Sequence, residues 1–452
     1  MKADAVEMLF REVLPYDYIR ERAKALGVQQ RERIFDPVRL ILALVLNGGT
    51  AESGRIAAAL REYTKRGGEK VARSASYRWF DKELLALLME LVERAQRYVL
   101  EMPSTLPGVL AGRRDWRAID SSTVKLSRAL KDVYPGTGDY AALKVHAEIS
   151  LGVENVVAWH ITPARRHDSP ELVIDESRRG TGILVDLGYV SHEMIRNCCA
   201  HDVSYVIRLK DGWKCFLDSD VMPSDVDSWR VPDEVLARMG VESLPDKLET
   251  ELDIDVRLGH ESNGVQSRLI NIKTPEGWRA YLTNLPRETH DSAAISFLYA
   301  LRWSVELHFK LAKGGCELDE IYVKNEYSAQ ILVHAAILSS LLANALAHIE
   351  HLDQGALGEK TVRPTSKRPP VHAMLLWKMV RTCGESITKL LVGDADTSWT
   401  WERLAEDLAW AGKDPNWRSR PSPLDDAKGR NPAGRAMWKH RVRPRKPRRR
   451  PK

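Results

Sequence analysis

The 452-residue sequence contains only five cysteines, and no two of them stand in a Cys-x2-Cys pair. Neither a disulfide framework nor a zinc ribbon is indicated, because both need paired cysteines at short spacing. The sequence also lacks an uninterrupted apolar run of the roughly 18 residues that a membrane-spanning helix needs. Its opening residues contain acidic side chains and no apolar core of a signal peptide. We therefore expect a cytosolic protein.

Positive charge is unevenly distributed along the chain. The formal net charge is +6, but residues 411–452 hold fifteen Lys and Arg against three Asp, which is +12. Residues 1–410 therefore carry −6, so any contact with nucleic acid in the body of the protein must come from local basic patches. Hydrophobic residues make up 44% of the sequence, which indicates a globular protein with roughly two to four domains.

Residues 1–112 have the pattern of a helical module. Asp36 stands directly before Pro37, an arrangement typical of an N-cap followed by the first helical residue. Residues 81–100 place leucines on a helical period, namely Leu84, Leu85, Leu87, Leu88 and Leu91. Residues 64–79 connect two predicted helices and carry five cations, Lys65, Arg66, Lys70, Arg73 and Arg78. This connection suits contacts with DNA, and a helical lid with a solvated loop is an equally good interpretation.

From residue 114 onward the sequence indicates a mixed α/β domain. Alternating segments over 114–126, 143–151 and 155–162 predict a meander of three strands. A helix over 168–179, a buried strand over 182–188, a helix over 191–200 and a strand over 204–210 are predicted to follow. Three antiparallel strands followed by alternating helices and strands are typical of a ribonuclease-H-like sheet.

Two aspartates in this predicted sheet are candidate ligands. Asp120 shares a face of its strand with Trp116 and Ala118, because side chains alternate along a strand. Asp186 follows the apolar run 183–185, at the carboxyl end of a predicted parallel strand, where open α/β sheets place their ligand crevice. A lone aspartate at a strand end is more often a turn or helix cap, so each is a weak signal alone.

The segment 299–313, YALRWSVELHFKLAK, contains no Pro or Gly and is rich in helix formers, so we predict one continuous helix. At about 100° per residue, its Tyr299, Arg302, Glu306 and Lys313 fall within an arc of roughly 60°. Glu306 follows Arg302 by four residues, a spacing at which side chains on a helix interact. A solvated stripe of ion pairs on a surface helix would show the same spacing.

The pattern Tyr-x2-Arg-x3-Glu-x6-Lys resembles the signature of DDE transposases of the insertion-sequence-four family, in all four residues and all three gaps. Residues 119–126, IDSSTVKL, resemble the first acidic motif of that family, and residues 185–189, VDLGY, resemble the second. The resemblance covers residues 114–345 well and the N-terminal module loosely. It implies that the catalytic, metal-binding acids are Asp120, Asp186 and Glu306. It also implies that the DNA-binding residues are Tyr299, Arg302 and Lys313.

The same resemblance implies a chemistry. Three carboxylates suit a pair of Mg²⁺ ions, with Mn²⁺ as a possible substitute, and such a pair can assist phosphodiester cleavage. We expect nicking at the inverted ends of the protein's own insertion element, and then attack of the freed 3′-hydroxyl on target DNA. A homodimer in the prokaryotic cytosol, associated with the nucleoid, would do this work. A ribonuclease-H-superfamily nuclease that cuts without joining, and a domesticated protein that only binds DNA, are the alternatives.

Glu306 follows Asp186 by 120 positions, which exceeds the length of a simple crossover, so an insertion is predicted. In related transposases an aromatic residue of the insertion stacks on a flipped base. Trp213, Trp229 and Trp278 are the candidates here, although each is more often an ordinary core residue. The predicted domains are a helical DNA-binding module (1–112), a ribonuclease-H-like catalytic core (113–211 with 286–350), a β-rich insertion (212–285), a helical C-terminal unit (351–412) and a basic disordered tail (413–452).

Several other polar groups are weaker candidates. His160, His167 and Asp168 lie near one another in the sequence and are interpreted as surface or capping residues. The acids of 317–320 could compete as metal ligands, or form a solvated turn. Residues 328–350 predict a long apolar helix that is mostly buried.

Overall fold

The computed structural model describes residues 1–28, 35–46, 56–70, 72–106, 108–210, 213, 215–217, 251–259, 264–274, 277–359, 371–394 and 398–413. The predicted disordered tail beyond Lys413, Trp229 and most of the first half of the predicted insertion lie outside these residues. The described part is mixed α/β and divides into two compact units. The first comprises residues 1–105, 118–168 and 303–413, and the second comprises 106–117 and 169–302.

The first unit contains most of the helices. They are α1 (Ala3–Val13), α2 (Tyr16–Leu26), α3 (Pro37–Leu46), α4 (Ile56–Lys65), α5 (Arg73–Ser76), α6 (Lys82–Glu101) and, later in the chain, α9 (Trp303–Gly314), α10 (Glu326–Glu359), α11 (Ala373–Thr382), α12 (Gly384–Val392) and α13 (Trp401–Ala411). The long helix α10 packs against α1, α3, α6 and α11. The predicted leucines of α6 are all buried, which confirms its amphipathic pattern.

The predicted cap of α3 is also confirmed. The Asp36 carboxylate accepts hydrogen bonds from the backbone N–H groups of Val38 and Arg39, at 2.9 and 3.1 Å, and Pro37 is the first helical residue. An N-terminal turn leaves backbone N–H groups without helical partners, and this carboxylate satisfies two of them.

The first unit also contains β-strands. Strands β2 (Ala141–Ser150) and β3 (Asn155–Pro163) form an antiparallel hairpin with His146 opposite His160. Strand β1 (Asp115–Leu126) neighbours β2, and the short β10 (Glu320–Ile321) pairs with β1 in parallel. The three-stranded meander predicted from the sequence is therefore present.

The second unit contains the remaining strands, β4 (Thr181–Val185), β5 (Ser204–Arg208), β6 (Cys215–Leu217), β7 (Leu252–Leu258), β8 (Val265–Thr274) and β9 (Gly277–Thr283). They lie in the order β4-β5-β9-β8-β7-β6, with only β4 and β5 parallel. Helix α7 (His192–Ala200) connects β4 to β5, and α8 (Ser292–Ala300) packs on β5, β8 and β9. The strands predicted beyond residue 212 are thus formed, and they extend the sheet from β5.

A close approach fixes the start of β1 beside β4 within this second unit. The Trp116 indole is buried, and its Nε1 donates a hydrogen bond to the carbonyl of Leu110 at 3.2 Å. A Cβ on Gly182 would lie 2.4 Å from a carbon of that ring, so a side chain at this position would collide with the indole. Glycine at residue 182 therefore permits the contact between strand and ring.

Two predicted helices are wrong. Residues 168–179 form two short 3-10 turns, Ser169–Glu171 and Glu176–Arg178, with Leu172 and Ile174 buried between them. The predicted continuous helix 299–313 is broken into α8 and α9. At the break, Leu301 and Arg302 donate backbone hydrogen bonds to residues three positions earlier, which closes tight turns instead of continuing the α-helix. Neither position carries the Pro or Gly that signals a break in sequence.

Among the described residues, the segment Glu326–Asp353 of α10 is long and apolar enough to cross a membrane by length and composition, with a mean hydropathy of 1.6. The lack of an uninterrupted apolar run did not exclude such a segment, because isolated Ser, His and Asn interrupt the run while the mean hydropathy stays high. Within the protein 89% of its apolar window is buried, which confirms the prediction of a mostly buried helix at this place.

Candidate active site

Asp120 lies in the middle of β1 and is partly exposed, whereas Trp116 and Ala118 on the same face are buried. Its Oδ1 accepts a hydrogen bond from the backbone N–H of Ser121 at 2.7 Å. Buried Val124 follows on the same face, so Asp120 and Ser122 form its partly exposed stretch. Such a placement suits a carboxylate that must meet an ion or a substrate.

Glu306 lies in the first turn of α9 and is also partly exposed. Lys313 lies in the last turn of the same helix, and its Nζ donates a hydrogen bond to the carbonyl of Thr123 at 2.9 Å. This bond ties α9 to β1 three residues after Asp120. Asp120, Glu306 and Lys313 therefore belong to one compact unit, with a direct contact between their two elements.

Asp186 follows the last residue of β4, as predicted, and its carbonyl accepts the N–H of Tyr189 in a turn. Burial raises the pKa of the Tyr299 phenol, the nearby charge of Asp186 raises it further, and Arg302 and Arg208 lower it. These electrostatic effects place Asp186, Tyr299, Arg302 and Arg208 in one neighbourhood of the second unit. Because the phenol pKa is raised, Tyr299 stays protonated and can donate a hydrogen bond at neutral pH.

The ring of Tyr299 is further oriented by its neighbours. The ring centroid of Tyr281 lies 5.3 Å from that of Tyr299, and the guanidinium carbon of Arg302 lies 5.8 Å from it. Arg208, at the end of β5, was missed by sequence reasoning, because no motif marks it and its position follows only from the pairing of β5 with β9.

A second group of residues that the sequence did not single out as a site surrounds Asp168 in the first unit. Its Oδ1 accepts hydrogen bonds from Lys144 Nζ at 2.8 Å and from Ser121 Oγ at 3.1 Å. The ring of His146 stacks on that of His160 at 4.5 Å and bonds to the hydroxyl of Thr162. The interpretation of Asp168 as a mere surface or capping residue is therefore wrong, since its carboxylate joins β1 to β2.

The other predicted candidates have varied surroundings. Trp213 stacks on the imidazole of His192, with ring centroids 4.1 Å apart, and Lys273 lies over the ring of Trp278. In the basic connection, Arg66 is buried against Glu62. The sequence suggested this cation as a DNA contact, but its burial makes it unavailable to DNA. The backbone carbonyl of Asp319 accepts the N–H of Lys125, which makes the acidic segment 317–320 part of the β1–β10 pairing.

A family model described as the transposase DDE domain matches residues 112–342, which is 231 of the 452 residues. The chain therefore belongs to the DDE transposase family. The matched region contains Asp120, Asp186 and Glu306 in this order.

The chain is similar to named insertion-sequence transposases along most of its length. It is 21% identical over 435 residues to the transposase for insertion sequence element IS231F of Bacillus thuringiensis subsp. israelensis, covering 85% of this chain and 89% of the relative. It is 24% identical over 267 residues to the probable transposase for insertion sequence element IS5377 of Geobacillus stearothermophilus, covering 58% and 62%. Among solved structures it is similar to a piggyBac transposase synaptic complex with hairpin DNA, at 11% identity and a TM-score of 0.44, over 89% of this chain and 85% of the other.

Proposed function

We propose that this protein is a DNA transposase that nicks the ends of its own insertion element and joins the freed 3′-hydroxyl to target DNA. The observation that carries the proposal is the match of the DDE transposase domain over a region that contains three ordered acids and the Tyr-x2-Arg-x3-Glu-x6-Lys spacing. The insertion-sequence relatives support the same activity. A ribonuclease-H-like catalytic core within the predicted domain layout is part of this proposal, as is a cytoplasmic location.

Asp120, Asp186 and Glu306 would hold the divalent cations, Mg²⁺ or Mn²⁺. The donor set fits, because hard cations prefer carboxylate oxygens and all three side chains are partly exposed instead of sealed in apolar packing. When bound, a pair of such ions activates the attacking oxygen and stabilises the leaving oxygen of a phosphodiester. Convergence of all three acids on one site stays a prediction from the sequence.

The cationic and phenolic residues would position DNA. Arg302 offers a planar fork of donors that matches two phosphate oxygens, and Tyr299 offers a phenol that remains a donor at neutral pH. Arg208 lies in the same neighbourhood as these two residues, so we add it to the phosphate-binding group. Lys313 would contribute charge near the DNA end. The inverted ends and the target DNA are the proposed partners, bound by a homodimer, with the helical N-terminal region as a further DNA contact.

The test uses a plasmid that carries the coding region with its flanking DNA, incubated with the full chain and Mg²⁺ or Mn²⁺. We expect metal-dependent nicks at the element ends by the wild type and strand-transfer products at later times. Glu306→Gln should bind the plasmid equally and lower nicking by more than about 100-fold, because it loses a charged oxygen ligand. Asp319→Asn, from the neighbouring acidic segment, is the matched control and should nick like the wild type.

The outcomes separate the alternatives. Nicks without joined products would favour a nuclease that cuts but does not join. Binding without nicking by either protein would indicate a DNA-binding protein that has lost catalysis. Loss of nicking in Asp319→Asn with activity retained in Glu306→Gln would move the third ligand from α9 to the acidic segment.

A further inference from the structure

Asp168 and Lys144 form a polar pair beside Ser121 of β1, and both side chains have limited exposure to solvent. The Lys144 side chain is 13% exposed and that of Asp168 is 23% exposed. Lys144 Nζ donates to Asp168 Oδ1 at 2.8 Å and to the carbonyl of Arg166 at 2.9 Å, so the ammonium is held at two points. Because the pair is mostly shielded, its geometry is more tightly fixed than that of a typical surface ion pair.

The same Asp168 oxygen also accepts a hydrogen bond from Ser121 Oγ at 3.1 Å, and Ser121 directly follows Asp120. Side chains alternate along a strand, so Ser121 projects from the face of β1 opposite to Asp120. The peptide N–H of Ser121 donates in turn to Asp120 Oδ1 at 2.7 Å. Ser121 therefore makes a hydrogen bond on each side of β1. Its hydroxyl binds Asp168 on one face, and its peptide N–H binds the Asp120 carboxylate on the other.

The neighbouring strands fix Asp168 itself. Lys144 and His146 lie on one face of β2, and His146 Nε2 forms a 2.9 Å hydrogen bond with the Thr162 hydroxyl of β3. His146 Nδ1 lies 3.8 Å from Asp168 Oδ1, which adds an attractive contact if the imidazole is protonated. Asp168 follows β3 by five residues, so this arrangement connects β1, β2 and the segment after β3 at the level of Asp120.

We infer that Asp168, held by Lys144, is a positioning residue that orients the Asp120 carboxylate for divalent-cation binding through the hydroxyl of Ser121. Hydrogen bonds behind a metal ligand commonly determine its orientation, and their loss costs about 10- to 100-fold in metal affinity or activity. The inference rests on the proposed role of Asp120 as a metal ligand. It assigns Ser121, Lys144 and Asp168 a function that does not require contact with DNA.

The test measures the dissociation constant for Mn²⁺ of the full chain by electron paramagnetic resonance of the free ion, without DNA. Ser121→Ala and Asp168→Ala should raise this constant about tenfold. Ser121→Thr keeps a hydroxyl on a β-branched residue that suits a strand, and it should restore the affinity to within about twofold. Ser122→Ala is the matched control, because it removes the same group one position along β1. Melting temperatures report whether each variant is folded.

Nicking of the plasmid described above gives a second measurement. In Ser121→Ala the Mn²⁺ concentration for half-maximal nicking should rise about tenfold, while the maximal rate at saturating Mn²⁺ recovers toward the wild-type value. A purely structural role would instead lower the melting temperature and the maximal rate together. The inference is overturned if Ser121→Ala binds Mn²⁺ like the wild type. Absence of nicking by the wild type at saturating Mn²⁺ would instead refute the proposed function.

Discussion

Arg268 and Asp253 form an ion pair between β8 and β7 in which the two side chains are 4% and 3% exposed. The guanidinium also donates to the carbonyls of Leu285 at 3.1 Å and His290 at 2.7 Å, so its donors meet several acceptors at once. Burial of a charge is tolerated only with such compensation, because an unpaired ion in the interior loses its hydration. The pair thus connects β7 and β8 to the segment that leads into α8.

We predict that Arg268→Ala lowers the free energy of unfolding by up to about 3–5 kcal/mol, because the buried Asp253 carboxylate then keeps only Arg287 at 3.3 Å and the Ser292 hydroxyl at 3.1 Å. Urea unfolding followed by far-ultraviolet circular dichroism measures the change. Arg257→Ala, in β7 of the same hairpin and partly exposed, is the control and should cost less than about 1 kcal/mol. Equal losses in the two variants would contradict the role assigned to the buried pair.

Single residues also show how far sequence reasoning reached at the candidate site. Asp120, Asp186 and Glu306 were predicted as ligands because short strand motifs and a spaced helix signature leave a local pattern in the sequence. The contacts of Lys144, Asp168 and Arg208 were not predicted, because they depend on which strands become neighbours. The hydrogen bond of Ser121 with Asp168 joins residues 47 positions apart, and this separation gives no hint of contact. The sequence thus allowed candidate residues to be predicted from local patterns, but not their contacts with distant parts of the chain.

At the scale of secondary structure, local signals with a physical cause were the reliable ones. The Asp36–Pro37 cap and the leucine period of α6 predicted elements that the structure contains. The helix predicted over 299–313 failed at Leu301 and Arg302, where i→i−3 hydrogen bonds replace the α-helical pattern. Leu301 is buried at this turn and its intrinsic propensity favours a helix, so neither its residue type nor its burial predicts the break.

The cap of α3 gives a prediction at this scale. Asp36→Ala should lower the free energy of unfolding by about 1 kcal/mol, because two N–H groups of the first turn lose their acceptor. Asp36→Asn keeps an acceptor oxygen and should cost less. Thermal and urea unfolding of both variants provide the measurement. Equal losses for Asn and Ala would show that the charge, including its ion pair with Arg39, matters more than the cap.

Helix α10 contains a buried histidine whose pKa gives a pH prediction. Burial lowers the pKa of His334 to about 4, although its bond to the Gln330 carbonyl works in the opposite direction. In the unfolded chain a histidine titrates near 6.5, so between about pH 4 and 6.5 the unfolded state binds the additional proton. The free energy of unfolding should therefore fall as the pH is lowered through this range, by up to about 3 kcal/mol from this one group.

His334→Phe should remove that part of the pH dependence, because phenylalanine does not titrate and can keep the edge contact with Trp159. Urea unfolding between pH 4 and 7 gives the slope for both proteins. His167→Phe, at an exposed position, is the control and should keep the wild-type slope. If His334→Phe and the wild type lose stability in parallel on acidification, other groups cause the effect.

At the scale of the whole molecule, the distribution of charge and the proposed activity have to be reconciled. The net charge of +6 is the sum of +12 in residues 411–452 and −6 in the rest. An acidic body gains little from long-range attraction to DNA, which is itself a polyanion. Local cations such as Arg302 and Arg208 can fix a phosphate, but they do not provide an attractive field over the whole surface. The basic end of the chain is then the part that can supply sequence-independent affinity.

We predict that a chain ending after Trp417, which loses fourteen Lys and Arg and two Asp, binds DNA of any sequence more weakly. Each phosphate contact releases counterions when it forms, so fewer counterions are released when contacts are lost. The slope of log K against log salt concentration should therefore become shallower by about 0.9 per lost contact. Fluorescence anisotropy with a labelled duplex at several salt concentrations measures both effects. A variant with the order of residues 418–452 scrambled keeps the charge and should behave like the wild type, because counterion release depends on charge and not on sequence. If truncation leaves the slope unchanged, the DNA contacts lie in the acidic body, and local cations alone must account for binding.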